Sequence, residues 1–381
     1  MKILHVINGL NMGGAEQNLL NLLKNSNNSL FNHTVVSLSD EGILGKEIKK
    51  LNIKVYCLNI NKNSFFLIKI IRYFISIFRL SIIIKKNKSQ IVQTWLHHSD
   101  LLGLICCFLL RHKNLIWSIR CSFLKVEFIS FKNILLMKVL GIFSKFPKII
   151  IFNSYVGYRA HTQIGYSPKK YKIIYNGVDT SKFKPDLDLR KKVRKKLNIS
   201  ERIRVIGYVG KYEKIKDINT FLLSVKCIQE KFNDSKIIMI GNNLDYKNKI
   251  LVKEIKDKKL NNFYLLGNVI NINEMILSFD LLLLTSKSEG LPNVLIESMA
   301  SGTGCISTNV GDVSKILEKN YICKIGDYKS ICNASIKYLR SSAVSKKNLI
   351  KKNIKKISNN YNILNISKQY EKIYMELIVN G

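Results

Sequence analysis

Apolar positions along this chain fall into short unbroken runs, set apart by longer stretches in which they return every three or four residues. Runs at 2–7, 33–38, 54–58, 90–94, 115–119, 148–152 and 172–175 have the length and the Ile, Val and Leu content of buried strands. A second set follows at 203–209, 236–240, 263–266, 281–284 and 305–308. Helical spacing predicts helices over 17–23 and 44–51, after Asn153-Ser154, from Ile218, and from Pro292 to Ser301. Residues 341–360 read as a solvated lysine-rich helix, and Ile363, Ile366, Tyr370, Ile373, Tyr374 and Leu377 form the apolar stripe of a last one. Strand and helix alternate throughout, which predicts an α/β protein with parallel sheets. A chain of 381 residues has room for two cores.

The stretch 280–304 is the sharpest of these units. The apolar run Leu281–Leu284 gives way to Ser286, Lys287, Ser288 and Glu289-Gly290. Pro292 suits a helix start, where its missing N–H is no loss, and Gly302 suits a helix end. In an open α/β sheet such a strand–turn–helix opens into the crevice where ligands bind. Two carboxylates frame it: Glu289 in the turn, and Glu297 on the helix face that also carries Asn293. Carboxylates accept hydrogen bonds from sugar and ribose hydroxyls, and a helix start favours an anion between them.

The stretch 65–84 is also predicted helical. Its polar residues Lys69, Arg72, Ser76 and Arg79 recur at spacings of three and four. They read either as the wet edge of a core helix or as the basic stripe of a helix lying on a membrane surface. Three cations exclude a membrane span.

Charge sharpens the choice of partners. The formal net charge is +36, which draws the chain to phospholipid, to a nucleotide diphosphate or to nucleic acid. Lys, Ile and Asn are all abundant, as A/T-rich coding would make them. No stretch interleaves aromatic and basic residues in a nucleic-acid-binding pattern, so no nucleic-acid partner is expected. The eight cysteines form no C-x-x-C pair, and a reduced, cytosolic protein is expected. The opening residues read as a strand, too short for a signal peptide.

Further loops carry candidate chemistry. Gly9, Gly13 and Gly14 follow the first strand without the spacing of a dinucleotide fingerprint, but paired glycines let backbone approach a ligand. Lys211 and Lys216 lie five residues apart between a strand and the helix from Ile218, placed to clamp a diphosphate.

Glu289-Gly-Leu-Pro-Asn-Val-Leu-Ile-Glu297, with Ser-Met-Ala-Ser-Gly after it, resembles the E-x7-E signature of the retaining nucleotide-sugar glycosyltransferases of family 4. Gly13-Gly-Ala-Glu16 resembles the N-terminal loop of that family, Asn176-Gly-Val-Asp179 its inter-domain crossing, and Gly210 to Asp217 its phosphate loop, with Lys211 where arginine is more usual. Gly304, Asp312 and Lys315 depart from the family pattern. The resemblance implies a GT-B fold: two Rossmann-like parallel-sheet domains facing across a cleft. It divides the chain into an acceptor domain at 1–180, a linker at 181–201, a donor domain at 202–360 and a C-terminal helix at 361–381 that crosses back.

The resemblance also implies roles. Glu289 contacts the donor sugar and Glu297 the ribose, with Gly13, Gly14, Gly290, Leu291, Pro292 and Asn293 lining the donor site. Lys211 and Lys216 neutralise the leaving diphosphate without a metal or other cofactor. Where many members carry a histidine after the strand 115–119, this chain has Arg120, so either Arg120 or His98 faces the reaction centre. Glu16 and His98 are candidate acceptor or sugar contacts. The expected reaction moves a sugar from a nucleotide-diphosphate sugar to an acceptor hydroxyl with retention. The acceptor is expected to be a lipid-linked glycan in bacterial surface-polysaccharide assembly, reached by a cytoplasmic enzyme peripheral on the anionic inner face of the membrane. Two alternatives remain: a nucleotide-sugar epimerase of similar fold, and a non-catalytic protein that binds an anionic surface or nucleic acid.

Overall fold

A computed structural model describes residues 1–11, 13–60, 66–120 and 130–379, without side-chain detail for 66–70. The side chain of Lys69 lies outside it. The chain divides into two compact units, residues 1–177 with 363–381, and residues 178–362.

Among the described residues the first unit holds a seven-stranded parallel sheet. Its strands are β1 (Lys2–Ile7), β2 (Asn32–Ser37), β3 (Lys54–Cys57), β4 (Ile91–Trp95), β5 (Leu115–Ile119), β6 (Ile149–Phe152) and β7 (Tyr171–Ile173), in the order β3-β2-β1-β4-β5-β6-β7. The second unit holds six: β8 (Val205–Val209), β9 (Lys236–Ile240), β10 (Phe263–Leu265), β11 (Leu281–Leu284), β12 (Gly304–Thr308) and β13 (Ile322–Cys323). Their order is β10-β9-β8-β11-β12-β13, again all parallel. Both sheets therefore reverse direction of growth once, between β1 and β4 and between β8 and β11. Loops at such a switch point surround a ligand crevice. Every residue of β4, β5, β11 and β12 is buried, as strands covered by helices on both faces require.

The C-terminal helix Ile363–Val379 belongs to the first unit. Ile363, Ile366, Tyr370, Ile373 and Tyr374 enter its core, the Tyr374 hydroxyl donates to Gln93 Oε1, and Glu371 accepts from the Asn27 amide at 2.7 Å. Gly177 lies where the chain leaves this unit; a Cβ there would stand 2.8 Å from Ile363 Cα, so only glycine lets the outgoing and returning strands of chain touch.

Three readings of the sequence change. The stretch 181–201 is no free linker: the helix Leu187–Lys196 packs into the second unit through Arg190 and Arg194. Arg194 is fully buried, donates to the Ser278 carbonyl at 2.9 Å and pairs with Asp280 Oδ2 at 2.7 Å, while Arg190 takes Asp280 Oδ1 at 2.7 Å. Asp280 also accepts from the Val205 amide at 2.7 Å, so one carboxylate ties this helix to the starts of β8 and β11. The segment read as a linker because it is mostly charged; the partner that sequesters the charge is some ninety positions away.

The second change concerns cysteine. Cys227 on helix Ile218–Gln229 and Cys332 on helix Tyr328–Arg340 form a disulfide, 105 residues apart in sequence with Cα atoms 6.0 Å apart. Only the packing of these two helices brings the pair within bonding geometry. The third concerns the helix Phe66–Asn87, whose polar stripe is split: Ser76 is 1% exposed and faces inward, Arg79 is exposed, and outside the stripe Phe74 and Phe78 are 65% and 69% exposed.

Removing one partner of a buried ion pair leaves the other charged and unpaired, at a cost of about 3–5 kcal/mol. Arg194→Ala is therefore expected to destabilise the second unit by about 3 kcal/mol in denaturant unfolding, and Arg194→Lys by less. A loss below about 0.5 kcal/mol, the range of ordinary surface changes, would show that Asp280 is satisfied without it.

Candidate active site

Lys211, Lys216, Glu289 and Glu297 all lie in the second unit, on the loops at its switch point or the helix that follows one of them. Lys211 and Lys216 follow β8; Glu289 follows β11, and Glu297 lies on helix Asn293–Ala300. These loops are stitched together through their backbones. The Lys287 amide donates to the Ile215 carbonyl at 2.8 Å, and the Thr285 hydroxyl donates to the carbonyls of Lys216 and Asp217, both at 3.1 Å. Asp217 adopts φ +49° and caps helix Ile218–Gln229 by accepting from the Thr220 amide. Its turn delivers Lys216 to Glu289: Lys216 Nζ stands 2.5 Å from Glu289 Oε1, which also accepts from the Ser286 hydroxyl at 2.7 Å. The pair is partly exposed, Lys216 by 23% and Glu289 by 15%. The turn of Glu289 is thus more enclosed than the sequence suggests, and its charge has a partner that spacing alone did not identify.

Neighbouring loops close in on this pair. A Cβ on Gly311, at φ +52°, would stand 2.1 Å from the Gly290 carbonyl, and the Asp312 amide donates to that same carbonyl at 3.0 Å. Gly241, at φ +135°, passes so near the Gly210 carbonyl that a Cβ would stand 1.7 Å from it. Glycine at both places lets the loops after β8, β9, β11 and β12 meet. Gly304 has its own reason: a Cβ there would meet the Tyr338 ring at 2.2 Å. Pro292 takes the cap position and Asn293 opens the helix, one residue later than spacing placed its start. Leu291 is buried, Pro292 also, and Asn293 and Glu297 are half-buried on the same helix. Lys211 is exposed.

Glu297 differs from Glu289 in its surroundings. Desolvation raises its carboxyl to about 7 from the usual 4.5. Next to it on the helix, Leu295, Ile296, Ser298, Met299 and Ala300 are all buried.

In the first unit, the loops after β1 and β4 flank the other switch point. Gly13 caps helix Gly14–Asn25, and the Glu16 side chain folds back over it, where a Cβ on Gly13 would stand 2.2 Å from Glu16 Oε2. Asn8 Oδ1 joins the two loops by accepting from the Ser99 amide at 3.0 Å and its hydroxyl at 2.7 Å. His98 is exposed in the first turn of helix His97–Leu109. Its neighbour His97 is stacked on His161, Nε2 to Nε2 at 3.0 Å, a pairing with no sequence signal because the residues are 64 apart. Arg120 directly follows β5, but its guanidinium donates to Asn176 Oδ1 at 2.7 Å and to the Tyr370 hydroxyl, and lies 4.8 Å from the Trp95 ring centre. These contacts make Arg120 a brace between the sheet and the C-terminal helix, a role that the sequence reading did not include. Among the described residues no group of three or more His, Cys, Asp or Glu side chains is arranged to hold a metal ion.

A carboxyl that folding holds partly protonated makes stability depend on pH. The folded value of Glu297 lies above its unfolded one, so the folded state binds the extra proton and stability falls as pH rises from about 4.5 through about 7. Glu297→Gln should remove that slope and raise the unfolding midpoint at pH values above this window relative to the unmutated protein. An unchanged pH profile would show that the carboxyl is solvated.

Two family models match the chain: Glycosyltransferase Family 4 over residues 12–182 and Glycosyl transferases group 1 over residues 190–357. The N-acetyl-alpha-D-glucosaminyl L-malate synthase of Bacillus anthracis is 26% identical over 217 residues, 55% of each chain. The UDP-Gal:alpha-D-GlcNAc-diphosphoundecaprenol alpha-1,3-galactosyltransferase of Escherichia coli is 26% identical over 351 residues, 88% of this chain and 86% of its own. The crystal structure of Anabaena HepE in complex with UDP and glucose superimposes with a TM-score of 0.84 at 20% identity, covering 98% of this chain and 99% of that one. The epimerase alternative is not favoured by these matches. Between them the two models span both parallel-sheet units, and the chain belongs to the glycosyltransferases of this group 1 and family 4 type, with the GT-B fold.

Proposed function

We propose that the protein transfers a sugar from a nucleotide-diphosphate sugar to a hydroxyl of a lipid-linked glycan, with retention at the anomeric carbon, in assembly of a cell-surface polysaccharide. The observation that carries this reading is the contact of Lys216 with Glu289, which joins a cation from the β8 loop to a carboxylate from the β11 loop. A donor brings two matching groups: a diphosphate for the cation and sugar hydroxyls for the carboxylate. The names of the relatives support the substrate classes, one solved with UDP and glucose, the other acting on a diphosphoundecaprenol-linked sugar.

In this mechanism the diphosphate draws Lys216 away from Glu289 and is flanked by Lys216, Lys211 and the start of helix Ile218–Gln229. Glu289, released from its cation, accepts hydrogen bonds from the sugar. Glu297 accepts from the ribose hydroxyls when ionised, with Gly290, Leu291, Pro292 and Asn293 completing that wall. In the first unit, Gly13 and Gly14 offer close backbone approach to a phosphate, and Glu16 and His98 are the candidate acceptor contacts. The bond from the anomeric carbon to the diphosphate oxygen breaks, and the acceptor oxygen bonds to the same face. The acceptor proton passes to the departing phosphate oxygen, so no protein base is needed. Negative charge grows on the leaving group during this step, and a cation already in place lowers the barrier. The two lysines do this work without a metal or other cofactor. Arg120 keeps its bracing role. The enzyme acts at the anionic inner face of the membrane, where its lipid-linked acceptor is held.

Mass spectrometry of products formed from a panel of nucleotide sugars, with membrane extract as acceptor source, tests the reading. The expected product is a lipid-linked glycan one sugar longer; consumption of donor without extension of any acceptor would overturn it. Lys211→Ala and Lys216→Ala should each reduce kcat/KM by roughly one to two orders of magnitude, about 1.5–3 kcal/mol for a charged hydrogen bond. Lys211→Arg should be tolerated, since its fork grips phosphate at two points. Chelator should leave the rate unaltered; loss of activity restored by a divalent ion would contradict the lysine clamp.

A further inference from the structure

The helix Phe66–Asn87 presents its polar and apolar faces in an unusual order. Its inner edge holds Ser76, Leu80 and Ile84, each 3% exposed or less. Its outer face carries Ile71, Phe74, Phe78 and Ile82, exposed by 57%, 65%, 69% and 46%. At 3.6 residues per turn, Arg72, Arg79 and Lys86 fall along one flank between these faces. A surface helix of a water-soluble domain places apolar residues inward and polar ones outward; here the outermost residues are aromatic and aliphatic.

The adjoining helices extend the same surface. Helix His97–Leu109 ends in Phe108 and Leu109, exposed by 67% and 63%, and helix Phe131–Phe143 exposes Phe131 and Ile142 by 74% each. Between the first two helices runs a mostly apolar groove of about 340 Å³, whose lining includes Phe74, Phe78, Ile82, Leu109 and Leu110 together with Lys85. Exposed apolar residues scattered singly are ordinary, whereas a face built by three helices marks a partner.

We infer that this face of the first unit docks into the interfacial layer of a lipid bilayer, with its aromatic and aliphatic side chains among the acyl chains and its basic flank at the headgroups. Two observations select lipid over other occupants. The cations Arg72, Arg79, Lys85 and Lys86 border the apolar face, an order that matches anionic headgroups above hydrocarbon. A second copy of this chain is disfavoured because it would set these cations against their own equivalents in a protein of net charge +36. No described helix is long and apolar enough to cross a membrane, so attachment is to one surface. The inference deepens the proposed function and rests on its lipid-linked acceptor. It differs from the basic-stripe reading of the sequence in what supplies the binding: apolar insertion is the main contribution and charge the lesser.

Vesicle co-sedimentation separates the two contributions. Phosphatidylcholine vesicles with and without phosphatidylglycerol are used at about 0.1 M and about 1 M salt, where screening lengths are about 10 Å and 3 Å. The unmutated protein should stay bound to anionic vesicles at high salt. Phe74→Asn/Phe78→Asn/Ile82→Asn should weaken binding by about a hundredfold or more at both salts, given the apolar area withdrawn. Phe131→Asn/Ile142→Asn, on a separate helix, should weaken it about tenfold, and guards against misfolding of the first variant. Arg72→Gln/Arg79→Gln should lose only the salt-sensitive part. Release of the unmutated protein by high salt, or equal binding by both apolar variants, would overturn the inference, as would a dimer without lipid that the first variant abolishes. Transfer to a water-soluble acceptor analogue keeps the two readings apart. Transfer retained by a variant that no longer binds vesicles supports the docking face. Vesicle binding by a protein that transfers no sugar leaves the face standing and removes the proposed function.

Discussion

An ammonium and a carboxylate 2.5 Å apart, Lys216 and Glu289, occupy the place where the second sheet reverses its direction of growth. Strands β8 and β11 lie side by side, yet the connections that leave them diverge, and this divergence is what opens a crevice at a switch point. The backbone bonds of Thr285 and Lys287 to the β8 loop hold the two loops in register, and the glycines at 241 and 311 let their neighbours approach. The charge pair is the outcome of that convergence. It is also the part that a charged ligand can exchange for its own groups.

Burial separates this pair from the Arg194–Asp280 pair of the same unit. Arg194 is 1% exposed and shares Asp280 with Arg190 and a strand amide, so it acts as a strut whose removal strands a charge in the interior. Lys216 and Glu289 both retain contact with water, and an ion pair of that kind adds no more than about 1 kcal/mol to stability. Their meeting is therefore cheap to break, as a site that must change partners requires. Glu297 represents a third case. Its carboxyl is raised to about 7 by desolvation, a cost to the fold that hydrogen-bond donors from a ligand would offset.

Much of this was legible in the sequence. The strand–turn–helix around Glu289 and Glu297 announced itself through an apolar run, a proline and a glycine, because each of those residues acts locally. The apolar stripe of the last helix likewise led to its place in a core. What stayed hidden depends on contacts between distant segments. Nothing near Arg194 indicates Asp280, nothing near Cys227 indicates Cys332, and nothing near Arg120 indicates Asn176 and Tyr370, which lie 56 and 250 residues away. The helix Phe66–Asn87 shows a different limit. Periodicity located the stripe that contains Ser76, but it carries no sign, and only packing reveals that Ser76 faces inward and Phe78 outward.

The most direct test compares Glu289→Gln with the unmutated protein in two measurements, sugar transfer and calorimetric binding of a nucleoside diphosphate. If Glu289 contacts the sugar and merely holds Lys216 until the diphosphate arrives, transfer should nearly vanish. Nucleoside diphosphate should then bind as well as before or up to about fivefold more tightly, since a competing contact of about 1 kcal/mol is gone. Loss of nucleoside diphosphate binding together with transfer, or transfer that persists, would contradict the placement of donor between Lys216 and Glu289.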